Sequence, residues 1–227
     1  MSDDAKRRAA VAALAELPAE GVIGLGSGST SRLFIAALGE LVASGRRYTG
    51  VPTSEASRVQ ARELGIPLLS DDGPWDIAVT FDGADEIDDA LDLIKGGGGA
   101  HTREKIVNAS SRRNVIMADA SKLSRRLGEN WAVPVEVLGF AHLATRSHLA
   151  RLGAPTLRSR DGAAFRTDSG NLIYDLACGP IADPGALDAA LRAIPGVVET
   201  GLFVGRTDVV LVASETGVER RERRPRR

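Results

Sequence analysis

The 227-residue sequence holds one cysteine, three histidines and four lysines. The single thiol, Cys178, excludes an internal disulfide and a cysteine-rich zinc site; its Ala-Cys-Gly setting supplies no activating His or Lys, so it reads as a small packed residue. His101, His142 and His148 make no metal-ligand pair by spacing, and no metal is expected. Aromatic residues amount to 4%, which leaves few platforms for stacking bases. No stretch approaches the roughly 18 consecutive apolar residues of a membrane span, and the opening MSDDAKRRAA lacks the apolar run and cleavage site of a signal peptide. These absences predict a cytoplasmic protein with no membrane or nucleic-acid partner.

The formal net charge is −1. The last nine residues, ERRERRPRR, hold six Arg and two Glu, so the rest of the chain carries 23 basic against 28 acidic side chains. A mildly acidic body offers phosphate backbones no basic face. The stretch 219–227 is expected to be a solvated, disordered tail. Of 29 basic residues 25 are Arg, yet three of the four lysines, Lys95, Lys105 and Lys122, fall between positions 95 and 122. A compact ammonium with a tunable pKa suits a reaction site better than a guanidinium fork; chance is the alternative.

A hydrophobic content of 43% suffices to bury a core. The first half alternates helical stretches (5–17, 29–43, 54–64) with apolar runs (21–25, 48–52, 67–69, 76–81, 114–118), which predicts a doubly wound parallel sheet with helices on both faces. From about Gly128 the order becomes strand, helix, strand, strand, helix, strand, that of a ferredoxin-like α+β unit. The expected division is a Rossmann-like domain of residues 1–127 plus 204–218, with the run 208–213 returning to the first sheet, and a small domain of 128–203 inserted in it.

In such sheets ligands bind beyond the carboxyl ends of strands, and three loops there stand out. GLGSGST, containing Ser27, Gly28, Ser29 and Thr30, follows a strand and opens a helix, so its N–H groups and hydroxyls suit an anion such as phosphate. It fails as a dinucleotide fingerprint, with Ser29 where the third Gly belongs, and it lacks the Gly-Lys-Ser/Thr of a P-loop. A tight turn with Ser29 or Thr30 as helix cap is the other reading. FDGADEIDDALD holds six acids, which could be an ordinary solvated turn; Asp82 and Asp85 stand apart because they flank Gly83 and Ala84 directly after a strand, where carboxylates can bind sugar hydroxyls or move protons. IKGGGGAHTREK places Gly96, Gly97, Gly98 and Gly99 between Lys95 and Glu104. Four glycines carry an entropic cost whose return is backbone access to an anion, while Lys95 can stabilise an oxyanion. Glu104 is either a base in a first helical turn or a plain helix-dipole Glu. An anion cradle, hydroxyl-binding acids, an oxyanion stabiliser and a carboxylate base together suit proton abstraction α to a carbonyl, as in aldose–ketose isomerisation.

GSGST, DGADEID, KGGGGAHTREK, ADASK (118–122), VPVEV (133–137) and IPGVVETGLF (194–203) resemble, in order and over nearly the whole length, the motifs of ribose-5-phosphate isomerase type A. That resemblance implies interconversion of D-ribose 5-phosphate and D-ribulose 5-phosphate without cofactor or metal, in a homodimer or homotetramer. By the same resemblance Glu104 is the proton acceptor, Asp82 assists ring opening, Asp85 binds hydroxyls and Lys95 stabilises the enediolate. Ser27, Gly28, Ser29, Thr30, Gly83, Ala84, Gly96, Gly97 and Gly98 then bind substrate, and Lys122 reaches the phosphate. Ser27 stands where the family often has Thr, and His101 replaces an apolar residue, which raises the question of its effect on the pH profile. A phosphosugar sensor and a nicotinamide-dependent dehydrogenase are the competing functions.

Overall fold

The computed structural model describes residues 3–223 and divides into two compact units. Within the described residues the first comprises 3–84, 103–122 and 206–223; the second comprises 85–102 and 123–205. The segment 85–102, expected in the first domain, therefore belongs with the small one. Its short strands Glu86–Ile87 and Leu93–Ile94 pair with each other, and Leu93–Ile94 pairs with Leu202–Phe203. Strands of two residues are too brief to be recognised from periodicity.

The first unit is built on a six-stranded sheet in the order Tyr48–Pro52, Gly21–Leu25, Val79–Asp82, Asn114–Asp119, Val209–Ala213, Val218–Glu222. The first five are parallel, and their near-continuous burial fits strands covered on both faces. Val209–Ala213 does return to this sheet, as expected from its apolar run. The stretch 67–69 contributes only an isolated bridge, Gly50 to Leu68, because Pro67 has no N–H to extend a ladder. Val218–Glu222 closes the edge antiparallel to Val209–Ala213 over five residue pairs. This corrects the expected disordered tail for 219–222: Glu219, Arg220 and Glu222 are exposed while Arg221 is half-buried, and Arg220 is anchored on Glu16 at 2.8 Å. The last four residues of that tail, 224–227, lie outside the described residues.

Helices Asp3–Ala13, Ser29–Ala43 and Glu55–Glu63 belong to this unit. Ser54 caps the last, its hydroxyl accepting from the Ser57 N–H at 3.2 Å. Phe34 and Phe81, both fully buried, stack with centroids 4.3 Å apart and so pin helix Ser29–Ala43 to the strand that ends in Asp82.

The second unit holds an antiparallel sheet in the order Val197–Thr200, Val133–Val137, Leu172–Ala177, Ala154–Leu157, with helices His142–Leu149 and Pro184–Arg192. Numbered along the chain this is 4-1-3-2, the ferredoxin-like arrangement. Val133, Val135 and Val137 alternate toward a core with Tyr174, Leu176 and Leu191. Cys178 lies beside it, and burial pushes its thiol pKa up, as suits an inert packed residue.

Candidate functional site

The first unit gathers the loops after Gly21–Leu25, Val79–Asp82 and Asn114–Asp119 at the carboxyl edge of three adjacent strands. Asp82, 3% exposed, organises the first of them. Its Oδ1 accepts from the Ser27 N–H at 3.0 Å, the Gly83 N–H at 2.8 Å and the Ser31 hydroxyl at 3.3 Å. Ser27 also shares a hydrogen bond with Thr53 at 2.8 Å, and Ser57 donates to the Gly26 carbonyl at 2.6 Å. Gly26 is dictated by closeness: a Cβ there would lie 2.2 Å from Asp82 Oδ1.

Neither Ser29 nor Thr30 caps the helix. The N-cap is Gly28, with φ 92° and ψ −179°, a conformation left to glycine, and it makes no side-chain cap bond. The first-turn N–H groups therefore face the exposed Gly28–Ser29 corner, which suits an anion. Lys122 ends a short 3-10 turn, Ala120–Lys122, directly after Asn114–Asp119; the Ser121 N–H donates to Asp119 Oδ1 at 2.7 Å.

Glu104, 5% exposed, lies in the first turn of helix His101–Ala109. One turn on, Val107 packs against the backbone of Gly24, where a Cβ would approach Val107 Cγ1 to 2.9 Å, so this helix lies on strand Gly21–Leu25. Arg103 beside Glu104 donates to Glu55 at 2.8 Å, and Glu55 also meets Arg58. The Arg103 hydrogen bond, ahead of the opposing effect of burial, holds the Glu55 carboxyl below its ordinary range.

The second unit carries Asp85, Lys95 and the glycines. Gly96 to Gly99 form a four-residue turn closed by Gly99 N–H donating to Gly96 O at 2.9 Å. Asp85 Oδ2 accepts from the Gly97 N–H at 2.7 Å. Two of the four amides are thus held within the loop, which modifies the expectation of a row of N–H groups all facing an anion. Lys95, 4% exposed, has its ammonium 5.5 Å from the Phe203 ring centroid. His101, fully buried, packs under Gly96, where a Cβ would meet its Nδ1 at 2.6 Å. The imidazole fills the space that the glycine leaves.

Of the remaining acids of the second loop, Asp89 is exposed, and Glu86, Asp88 and Asp92 are structural. Asp88 Oδ1 accepts from the N–H groups of Ala90 and Asp92 at 2.9 Å each, Asp92 Oδ1 from Gly205 at 2.7 Å, and the buried Glu86 from Ser124, Gly128 and Asn130 at 2.6 to 2.9 Å. Among the described residues no group of three or more His, Cys, Asp or Glu is placed to hold a metal, and no helix is long and apolar enough to cross a membrane. A hollow of about 500 Å³ lies at the opposite, amino edge of the sheet, lined by Glu20, Arg46, Tyr48 and Pro67. It lies at the edge of the sheet opposite the loops that follow the strands' carboxyl ends.

Sequence reasoning missed the supports: Ser31, Thr53 and Ser57 behind the first loop, and Arg158 and Phe165 beneath the glycines. Their partners lie 26 to 66 residues away along the chain, so no local pattern marks them.

Residues 49–217 match the family model of ribose 5-phosphate isomerase A (phosphoriboisomerase A). The chain is 50% identical over 217 residues to a ribose-5-phosphate isomerase A of Roseiflexus sp. (strain RS-1), covering 94% of this chain and 93% of that one. It is 45% identical over 226 residues to that of Parvibaculum lavamentivorans, covering 96% and 97%. Among solved structures, ribose 5-phosphate isomerase A of Methanocaldococcus jannaschii superposes with a TM-score of 0.92 at 38% identity, covering 98% of this chain and 100% of that one. A D-ribose-5-phosphate isomerase in complex with phospho-erythronic acid gives 0.93 at 38% identity, covering 97% and 99%. By sequence and fold together, the chain belongs to the ribose 5-phosphate isomerase A family of isomerases.

Proposed function

We propose that this enzyme interconverts D-ribose 5-phosphate and D-ribulose 5-phosphate through an enediolate, with Glu104 as general base. The observation that carries the reading is the buried Glu104 carboxylate in the first turn of a helix lying on strand Gly21–Leu25, the strand that leads into the Asp82-anchored loop. The phospho-erythronic acid held by a similar enzyme is a sugar-acid phosphate of the same chemical type, which supports a sugar phosphate as substrate here.

In the open-chain aldose, Glu104 takes the C2 proton, the C–H electron pair becomes the C1–C2 double bond, and negative charge moves onto the C1 oxygen. Glu104, now protonated, returns a proton to C1; the O2 proton passes to O1, leaving a ketone at C2. Protons and electron pairs stay between enzyme and sugar, so the step calls on no oxidant. Lys95 stabilises the enediolate oxygens, Asp82 assists ring opening and Asp85 holds hydroxyls. Ser27 to Thr30, Gly83, Ala84 and Gly96 to Gly98 bind the substrate, and Lys122 reaches the phosphate. Asp82 already uses Oδ1 to fix the Ser27 loop, so it positions as well as reacts. Cytoplasmic residence and assembly as a homodimer or homotetramer belong to the same reading, the latter testable by light scattering.

A coupled assay over ribose and arabinose 5-phosphates and allose 6-phosphate tests the substrate, with ribose 5-phosphate expected to turn over fastest. Thermal stabilisation by NAD with none by ribose 5-phosphate would overturn the reading.

A further inference from the structure

Four successive glycines leave a loop with wide conformational freedom, yet a loop that binds through its amides works best when it is already ordered. In the second unit this order comes from Arg158. Its side chain, 13% exposed, is held by Asp175 through two hydrogen bonds, Nε to Oδ2 at 2.9 Å and Nη2 to Oδ1. Its remaining corner, Nη1, donates to the carbonyls of Gly96 at 2.7 Å and Gly97 at 3.3 Å. The Arg158 backbone is fixed on both sides, with its N–H on Ile173 O and its carbonyl accepting from the Phe165 N–H, each at 2.9 Å. The Phe165 ring lies 5.9 Å from the guanidinium and fills the space where a Gly99 Cβ would stand.

Across a trans peptide the C=O of one residue and the N–H of the next point in opposite directions. Drawing the Gly96 and Gly97 carbonyls toward Arg158 therefore turns the Gly97 and Gly98 N–H groups to the other face, and it is there that Gly97 N–H meets Asp85. Bonding to a cation also polarises these amides and strengthens their N–H donors.

We propose that Arg158, locked by Asp175, is a positioning residue that presets the Gly97–Gly98 amide face and Asp85 for substrate. This rests on the assignment of that loop to substrate binding given above. Arg158 touches no reacting atom; it acts through the loop.

Arg158→Ala, Arg158→Lys and Asp175→Asn test it by kcat and KM for ribose 5-phosphate, calorimetric affinity for 4-phosphoerythronate and thermal melting. Arg158→Ala is expected to lose about tenfold or more in kcat/KM and in 4-phosphoerythronate affinity, since slight misplacement of binding groups is enough to do so. Guanidinium chloride at tens of millimolar, filling the vacated fork, restores part of both, which a general loss of packing would not allow. Asp175→Asn moves both in the same direction, and adding it to Arg158→Ala brings little further loss, as expected of groups acting as one unit. Should Arg158→Ala not fold, Arg158→Lys carries the test, because it keeps the charge but loses the fork. A folded variant with kcat/KM and affinity within twofold of wild type, or a loss that follows melting temperature alone and ignores guanidinium, overturns the proposal. Failure of the wild-type enzyme to isomerise ribose 5-phosphate would instead sink the functional reading, whatever the variants do.

Discussion

Gly26→Ala is the substitution to which the first loop should be most sensitive. The added methyl would lie 2.2 Å from Asp82 Oδ1, 2.4 Å from its Cγ and 2.6 Å from its Cα. A side-chain oxygen can swing aside, but the Cα belongs to a strand paired on both sides, and ordinary contact there needs a separation of about 0.8 Å more. That movement pulls on the Gly26 N–H bond to Phe81 O, 2.9 Å long, and on the three bonds to Asp82 Oδ1. Overpacking costs about 1–3 kcal/mol, and weakening hydrogen bonds to a buried carboxylate adds about 1–2 kcal/mol, for a total of about 2–5 kcal/mol. For a chain of this size that lowers Tm by roughly 5–15 °C. Because Ser27 moves with Asp82, KM for the sugar phosphate should rise several-fold as well. Differential scanning fluorimetry and steady-state kinetics provide the assay, with Gly217→Ala as control, since a Cβ there has nothing within 4 Å and Tm should shift by no more than about 2 °C. A Gly26→Ala protein that melts within 2 °C of wild type with an unaltered KM refutes the reasoning.

Glu136, 1% exposed, accepts from Thr102 at 2.6 Å, Thr167 at 2.9 Å and Asn171 at 2.8 Å, and so ties the end of the segment 85–102 to the sheet within the second unit. Glu136→Leu strands three donors and should cost about 2–4 kcal/mol in urea unfolding, whereas Glu136→Gln, which still accepts from Thr167 and Asn171 while the Thr102 hydroxyl turns to accept, should cost under about 1.5 kcal/mol. Equal losses would contradict that distinction. Glu16 tethers the edge strand through Arg220 and the sheet through Arg113. Burial raises its pKa, but the hydrogen bonds from Arg220 and Arg113 outweigh it, and the folded pKa lies below the ordinary 4.5. A depressed folded pKa stabilises above the unfolded value and is lost as pH falls through the folded one. Glu16→Gln should thus lower Tm at pH 7, with the gap to wild type narrowing as pH drops below 4.5; a gap that widens in acid would contradict the sign.

Strong local patterns were legible in the sequence. The strands at 21–25 and 48–52 and the helices at 29–43 and 54–64 appear as residue-by-residue periodicity predicts, because their burial follows their own side chains. The segment 85–102 was misassigned because its membership depends on pairing with Leu202–Phe203, more than a hundred residues on. Residues 219–222 read as part of a charged tail, since an edge strand that exposes Glu219, Arg220 and Glu222 has a composition hard to tell from disorder. Of the proposed site, Asp82, Lys95, the glycines and Glu104 stand out in the sequence because unusual residues lie close together along it. Arg158 was not: one Arg among 25 carries no mark until the fold brings it under Gly96 and Gly97.

The central claim is proton transfer by Glu104, and Glu104→Gln assayed with ribose 5-phosphate in deuterium oxide tests it most directly. Wild-type enzyme should place solvent deuterium at C1 of the ribulose 5-phosphate formed whenever the Glu104 proton exchanges before its return. Glu104→Gln should keep 4-phosphoerythronate binding while both kcat and exchange fall by about 10²–10⁴. Turnover and exchange at wild-type rates in a folded Glu104→Gln enzyme would contradict the account.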